Sequence, residues 1–164
     1  MAPAEAALLI SCEAQYVMSL SNTGIRPVAA VLAVVIRDER ILLVRRANPP
    51  DQGRWGYPGG RIEWGEAVHA AALRELAEET GIAADSPELI DVLDFIEADP
   101  AGTLAHHFAM IAVACRWLSG EGEAADDALE TGWFTLADVI GMGRAASDKV
   151  EAIARRARGL PPAG

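Results

Sequence analysis

Apolar residues in the first half of the chain form two runs that are typical of buried β-strands. The run VAAVLAVVI (28–36) and the run ILLVRR (41–46) flank four polar residues, RDER, and this pattern predicts a β-hairpin. The Pro- and Gly-rich segment 48–60 predicts a loop. Later in the chain the pattern predicts strands at 88–97, 105–117 and 132–136, with an acidic loop at 119–130.

Two segments have the composition and spacing of helices. Residues 67–80 contain neither Pro nor Gly, are rich in Ala, Leu and Glu, and are followed by Gly81, a residue suited to ending a helix. Residues 147–159 predict a final helix, with Ser147 or Asp148 as its N-cap. The order of strands, helix, strands, helix favours an α/β fold in which helices cover a mixed sheet.

The length of the chain indicates how many domains it forms, and its charge limits the kinds of partner it can bind. The 164 residues suffice for one domain, which we place at 26–160 after an N-terminal extension at 1–25, and Met18 is a second candidate for the natural start. The net charge of −10 argues against a nucleic-acid polymer as partner. No apolar run is long enough for a membrane span, and no basic segment opens a signal peptide, so we expect a cytoplasmic protein without a membrane partner.

Three carboxylates crowd one side of the first predicted helix. Glu75, Glu78 and Glu79 lie within roughly 100° of arc at helical spacing. Arg74 is the only basic side chain between Arg61 and the end of the helix. Like charges at this spacing repel, so the cluster is either a solvated acidic face or a site for a hard cation such as Mg²⁺, which prefers oxygen ligands.

The same stretch resembles a known family motif. Gly60, five residues, Glu66, seven residues and then RELAEETGI (74–82) match the Nudix box at every defined position. The likeness continues into the strands before and after the box and covers about residues 26–158. The chain resembles the ADP-ribose-pyrophosphatase-like branch of the Nudix hydrolases.

The resemblance implies a fold, a chemistry and a division of labour within the box. It implies the Nudix fold, an α/β/α sandwich with a mixed sheet, and the hydrolysis of a small nucleoside diphosphate derivative such as ADP-ribose with Mg²⁺ or Mn²⁺. It also implies that members commonly form homodimers. The implied metal ligands are Glu75, Glu78, Glu79 and the carbonyl of Gly59, and the implied supports of the site are Gly60, Glu66 and Arg74.

The general base has several candidates. Glu78 or Glu79 fits this role if a metal leaves it, and many relatives use an acidic residue from a later loop instead. Asp127 is the preferred match in that loop, with Glu130, Asp126 and Glu123 behind it. This chain has Asp where relatives often have Glu, and the shorter side chain has less reach.

Candidate substrate contacts lie at the end of the hairpin and in the loop after it. Arg45, Arg46 and Arg54 are candidates for phosphate contacts, and the alternative is that they form salt bridges at the rim. Trp55 and Tyr57 either stack on the nucleoside or pack within the loop.

Three functions remain open at this point. The first is a pyrophosphatase acting on ADP-ribose or a similar compound, and the second is a nucleoside triphosphate pyrophosphohydrolase of the pool-cleaning type. The third is a Nudix-like ligand sensor without hydrolytic activity, against which the complete glutamate set counts. The Nudix box cannot separate the first two, because other loops select the substrate.

Overall fold

The structure is a computed structural model, and it describes residues 26–161. The predicted extension at 1–25 lies outside the described residues. The strands are β1 (Val28–Arg37), β2 (Arg40–Arg46), β3 (Trp55–Gly56), β4 (Gly59–Arg61), β5 (Ala83–Ala98), β6 (Leu104–Ser119) and β7 (Ala128–Phe134). The helices are α1 (Val68–Thr80), α2 (Leu136–Met142) and α3 (Val150–Ala157), with a 3₁₀ turn at Gly143–Ala145.

Strand β1 organises a seven-stranded mixed sheet. The strand order is β3-β2-β1-β6-β5, with β4 paired to β1 and β7 paired to β2. β1 runs parallel to β6, from Val28 opposite Phe108 to Val35 opposite Cys115. It runs antiparallel to β2 and to β4, and β5 and β6 form a long antiparallel hairpin.

Alternating residues of the central strands face two separate cores, as the two-residue period of a strand requires. Val31, Ala33 and Val35 pack with Leu76 of α1 on one face of the sheet. Val34 packs on the other face, in a core that includes Ile153 of α3. Helices therefore cover both faces, and the predicted α/β/α sandwich with a mixed sheet is confirmed.

Several predicted boundaries are wrong. The strand predicted at 132–136 is the end of β7, and the residues from 136 onward form α2 instead. Thr135 begins that helix with a capping box, because its hydroxyl accepts from the N–H of Asp138 while the Asp138 carboxylate accepts from the N–H of Thr135. β5 and β7 both start earlier than predicted, and short strands β3 and β4 interrupt the predicted loop at 48–60.

The final helix also starts later than predicted. α3 begins at Val150, and neither Ser147 nor Asp148 serves as its N-cap. Lys149 occupies that position in a left-handed conformation, with φ of 73°. Within residues 26–161, no helix has both the length and the apolar character needed to cross a membrane.

Candidate active site

Glu79 lies where the packed side of α1 meets the loop after β3. Ala72 and Leu76 on the same helix are fully buried against the sheet, and Glu79 itself is only 7% exposed. The helix ends at Gly81, which adopts a left-handed φ of 66° and donates its N–H to the carbonyl of Ala77. The helix therefore carries a carboxylate into the edge of the core.

The surroundings of Glu79 disfavour its charged form. Burial is the largest effect and raises the pKa of the carboxyl to about 7, and the negative charges of Glu75 and Asp127 act in the same direction. The N–H of Gly59, which donates to Glu79 Oε2 over 3.2 Å, and the charge of Arg46 lower the pKa. A bound cation would favour the carboxylate form and relieve this cost.

Arg74 ties the loop before α1 to the helix. Its Nε and Nη2 donate to the two carboxylate oxygens of Glu66 over 2.7 and 2.8 Å, which is a bidentate pair. These hydrogen bonds, followed by the N–H of Glu63, lower the pKa of Glu66 to about 2. Glu66 is therefore a charged partner of Arg74, and its role in supporting the loop stays a prediction.

The same guanidinium also reaches two of the candidate metal ligands. Nη1 of Arg74 lies 2.7 Å from Glu75 Oε1 and 3.1 Å from Glu78 Oε2. Within residues 26–161, no three carboxylate, imidazole or thiolate groups converge as a ready-made metal site. The pairing with Arg74 explains this arrangement, because it directs two of the three carboxylates toward the guanidinium.

The chemistry of the donors nevertheless fits Mg²⁺. This ion is usually held by one or two carboxylates together with substrate phosphates and water, so a complete protein cage is not required. The Glu75 carboxylate lies against the backbone of Gly60, where a side chain would collide with it. A Cβ on Gly60 would be 2.5 Å from Glu75 Oε1. Glu79 is largely buried and has no salt-bridge partner among the described residues. The metal-binding roles of Gly59, Glu75, Glu78 and Glu79 stay predictions.

The acidic loop between β6 and β7 brings the candidate base to the same place. Ala125 donates its N–H to the carbonyl of Glu79 over 3.0 Å. Asp127 follows, and its Oδ1 accepts from the side-chain amide of Asn48 over 2.7 Å. Its carbonyl accepts from the N–H of Ala47. Asp127 is thus held between the loop after β2 and the end of α1, and its catalytic role stays a prediction.

A cavity of about 500 Å³ opens beside these residues. Glu75, Glu78 and Glu79 line one wall, together with Asp127. The wall also includes Gly59, Gly60, Arg61, Arg46, Asn48 and Asp126. The other lining residues include the apolar side chains of Phe95, Phe108 and Met110, the ring of Tyr57, and Ser147, Asp148 and Lys149 just before α3. The cavity therefore joins an acidic wall to an apolar one.

Of the five candidate substrate residues, Arg46 and Tyr57 line this cavity. Arg45 is directed away from it, donating to the carbonyl of Gly53 and pairing with Glu130. Arg54 pairs with Asp51, and Trp55 packs edge-on against the ring of Phe134, with centroids 4.8 Å apart. The placement of these three side chains favours the structural alternative for each of them.

Tyr57 does line the cavity, but it is almost fully buried and donates its hydroxyl to the carbonyl of Val150 over 3.0 Å. Burial raises its pKa well above the usual range. Of the two readings open for this residue, packing is the one that its position supports.

Sequence reasoning missed several cavity residues. Asn48 stands beside two prolines in the predicted loop, and its position immediately after β2 is the one signal that could have marked it. Phe95 and Phe108 lie directly opposite each other on β5 and β6, with ring centroids 6.3 Å apart. Their proximity depends on strand register, which a single sequence does not reveal. Lys149 was passed over because the final helix was predicted to include it.

Comparisons with known proteins identify the family of the chain. The model of the NUDIX domain family matches residues 26–155. The ADP-ribose pyrophosphatase of Methanocaldococcus jannaschii is 37% identical over 112 residues, which make up 68% of this chain and 64% of that protein. The CTP pyrophosphohydrolase of Escherichia coli is 41% identical over 64 residues, or 38% of this chain and 47% of that one.

Among solved structures, a MutT NUDIX hydrolase from Burkholderia pseudomallei superposes with a TM-score of 0.69 at 30% identity. The alignment covers 80% of this chain and 98% of that one. The family model spans most of the described residues and contains the whole arrangement around Glu79. On this evidence the chain belongs to the Nudix hydrolase family.

Proposed function

We propose that the protein hydrolyses a diphosphate bond in a small nucleoside diphosphate derivative, with ADP-ribose or a close analogue as substrate and Mg²⁺ as cofactor. The observation that carries the proposal is the buried carboxylate of Glu79 on a cavity wall shared with Glu75, Glu78 and Asp127. Arg74 pairs with Glu75 and Glu78, but Glu79 has no salt bridge among the described residues, so its buried charge is costly unless a cation binds there.

In this proposal the residues of the box bind the metal and hold its surroundings in place. Glu75, Glu78 and Glu79 would hold Mg²⁺, with Mn²⁺ as a substitute, and the carbonyl of Gly59 would add a ligand. The bound ions would neutralise the phosphate oxygens and lower the pKa of the attacking water. Arg74 keeps the carboxylates oriented through the contacts described above.

Two further groups on the acidic wall would act on the substrate directly. Asp127, held by Asn48, would accept the proton of the attacking water, which requires it to come within hydrogen-bond reach of that water. Arg46 lines the cavity and would contact a phosphate oxygen. Glu78, the most exposed of the three glutamates, remains the alternative base.

The apolar wall supports a nucleoside as the remainder of the substrate. Phe95, Phe108 and Met110 line the cavity that the glutamates also line. Aromatic faces stack on nucleobases of any sequence. The 37% identity with the ADP-ribose pyrophosphatase of M. jannaschii supports a nucleoside diphosphate over other anhydrides.

A nucleoside triphosphate is the second candidate substrate. The likeness to the CTP pyrophosphohydrolase of E. coli, 41% identity over 64 residues, supports it. The two reactions use the same acidic wall and differ in the bond that is cut. A ligand sensor is the weakest alternative, because the complete carboxylate set would have no role in it.

Product analysis separates these functions. The purified protein would be given ADP-ribose, sugar nucleotides, dinucleotides and canonical or oxidised nucleoside triphosphates, each with Mg²⁺ or Mn²⁺. AMP and ribose 5-phosphate from ADP-ribose are the expected products, and pyrophosphate from triphosphates alone would replace the first proposal with the second. Glu78→Gln and Glu79→Gln should each abolish most turnover in a folded protein, and near-normal rates in both would refute the metal assignment.

The cytoplasm and a homodimer are part of the same proposal. A nucleotide substrate and the buried free thiol of Cys115 suit a reducing compartment. β5 is an edge strand in the described sheet, and Leu89, Val92 and Ile96 on it are more than half exposed. Light scattering coupled to gel filtration should give twice the mass of one chain, and a monomer at micromolar concentration would rule the dimer out.

A further inference from the structure

The guanidinium of Arg37, at the end of β1, lies between two tryptophan rings outside the cavity. Its central carbon is 5.0 Å from the ring centroid of Trp117 on β6 and 4.4 Å from that of Trp133 on β7. Its side chain is 22% exposed, so the cation is partly removed from water. A cation at these distances is attracted to both ring faces and links strands on either side of the acidic loop.

All three side chains of this sandwich bind the start of the acidic loop. The indole N–H of Trp117 donates to the carbonyl of Gly120 over 2.9 Å, and that of Trp133 donates to the carbonyl of Glu121 over 2.8 Å. Arg37 donates to the carbonyl of Gly120 and to the carboxylate of Glu121, over 3.3 and 3.0 Å. Two consecutive loop residues therefore receive four side-chain hydrogen bonds.

The next residues of the loop are bound to the end of α1. Glu123 donates its N–H to the carbonyl of Thr80 over 2.9 Å, and Ala125 donates to the carbonyl of Glu79 over 3.0 Å. Gly120 also lies close to this end of the helix, because a Cβ on it would be 2.9 Å from the carbonyl oxygen of Gly81. The loop is thus fixed at its start by Arg37, Trp117 and Trp133, and along its length by the end of α1.

We infer that Arg37 is a positioning residue for the hydrolytic site. By holding the two indoles and the start of the loop, it fixes the path that delivers Asp127 to Glu79. The inference rests on the proposed function for its effect on rate. Arg37 does not line the cavity, so it acts only through the loop.

The first test compares Arg37→Met with Arg40→Met. Arg40 lies opposite Arg37 on the hairpin, is exposed and donates a hydrogen bond of 3.4 Å to the carbonyl of Trp133, so it controls for the loss of one arginine there. For Arg37→Met we expect kcat to fall by about 10- to 100-fold, since small misplacements of reacting groups have effects of this size. KM should change little, because Arg37 does not line the cavity, and Arg40→Met should match the wild type in both constants.

The second test measures the loop itself. Hydrogen exchange at the amides of Glu123 and Ala125 should accelerate by at least about tenfold in Arg37→Met, because local opening exposes them. Val139→Ala, which truncates a buried residue of the opposite core, serves as a control for stability alone. It should lower the melting temperature without changing kcat or the exchange of these two amides.

A lower melting temperature in Arg37→Met with unchanged kcat and unchanged exchange at both amides would overturn the inference. If Arg37→Met does not fold, kcat and amide exchange are measured in Arg37→Lys instead, with the same expected results. The lysine ammonium keeps the charge but lacks the planar fork that binds both loop residues. If the wild type turns over no substrate, the proposed function fails, and the exchange result then decides the positioning role by itself.

Discussion

The buried carboxylate of Glu79 predicts that replacing it with an isosteric amide stabilises the metal-free protein. Its pKa of about 7 in the folded protein lies above the ordinary value of 4.5, chiefly because the group is buried. The folded state therefore holds a proton that the unfolded state has already lost. The stability associated with this proton is fully present below pH 4.5 and is lost as the pH rises through 7.

The size of the effect follows from the two pKa values. The separation between 4.5 and about 7 corresponds to about 3 kcal/mol at high pH, since each pKa unit is worth about 1.4 kcal/mol. Glu79→Gln removes the buried charge and keeps a carbonyl oxygen that can accept from the N–H of Gly59. In the presence of EDTA we expect the variant to exceed the wild type by up to about 3 kcal/mol at about pH 8 and to match it below pH 4.5.

Urea unfolding followed by tryptophan fluorescence measures this difference across the pH range. Added Mg²⁺ should stabilise the wild type by mass action and leave the variant almost unchanged, so that the gap narrows. Glu78→Gln is the matched control, because Glu78 is half exposed and should show no comparable gain. Equal stability of the Glu79→Gln variant and the wild type at alkaline pH would refute the electrostatic reasoning.

Three further substitutions test the geometry around the helix. Gly60→Ala places a methyl group 2.5 Å from the Glu75 carboxylate and should lower kcat by about 100-fold, as steady-state assays would show. Arg74→Lys loses the planar fork that holds Glu66 and should cost about 10- to 100-fold in Mg²⁺ affinity, measured by titration calorimetry. Tyr57→Phe removes one hydrogen bond, from the hydroxyl to the carbonyl of Val150, and should destabilise the fold by about 0.5–1.5 kcal/mol in urea while KM stays constant.

Each of these outcomes has a clear opposite. Normal turnover in Gly60→Ala would mean that the carboxylate of Glu75 is not needed in its present position. Unchanged Mg²⁺ affinity in Arg74→Lys would show that the guanidinium does not support the metal site. A large rise in KM for Tyr57→Phe would indicate that Tyr57 contacts the substrate, as in the stacking role considered from the sequence. Circular dichroism should show that all three variants remain folded.

Sequence pattern was sufficient where the structure depends on local periodicity. The apolar runs of β1 and β2 and the helical spacing around Glu75, Glu78 and Glu79 predicted those elements to within a few residues. The first residues of β5, 83–87, carry no such signal, because they lack alternating apolar side chains and end in Pro87, and they join the strand through pairing with β6. α2 was missed because its apolar residues continue directly from β7, although Thr135 and the acidic residue three positions later form a capping box.

The candidate site divides in the same way. The residues of the box are close in sequence, so their proximity follows from one loop and one helix. Asn48 meets Asp127 only because β2 pairs with β7, and Phe95 meets Phe108 only through the register of β5 and β6. Contacts of this kind depend on the tertiary fold. The sequence could mark Arg45 and Arg54 as candidates for the substrate because of their charge, but it could not mark Asn48, Phe95 or Phe108, which line the cavity.

The parallel pairing of β1 with β6 has a consequence for how the chain is made. Val28 lies opposite Phe108, so β1 leaves the ribosome long before its central partner has been synthesised. During that interval a strand with apolar residues on both faces is covered by the short hairpin with β2 and the three-residue pairing with β4, while the edge that β6 will occupy stays open. Proteins whose strands pair across a long stretch of sequence fold slowly, and in the meantime their unpaired strand edges are prone to aggregation. The yield of folded protein should therefore depend on growth temperature and chaperone supply more than on the stability of the finished fold.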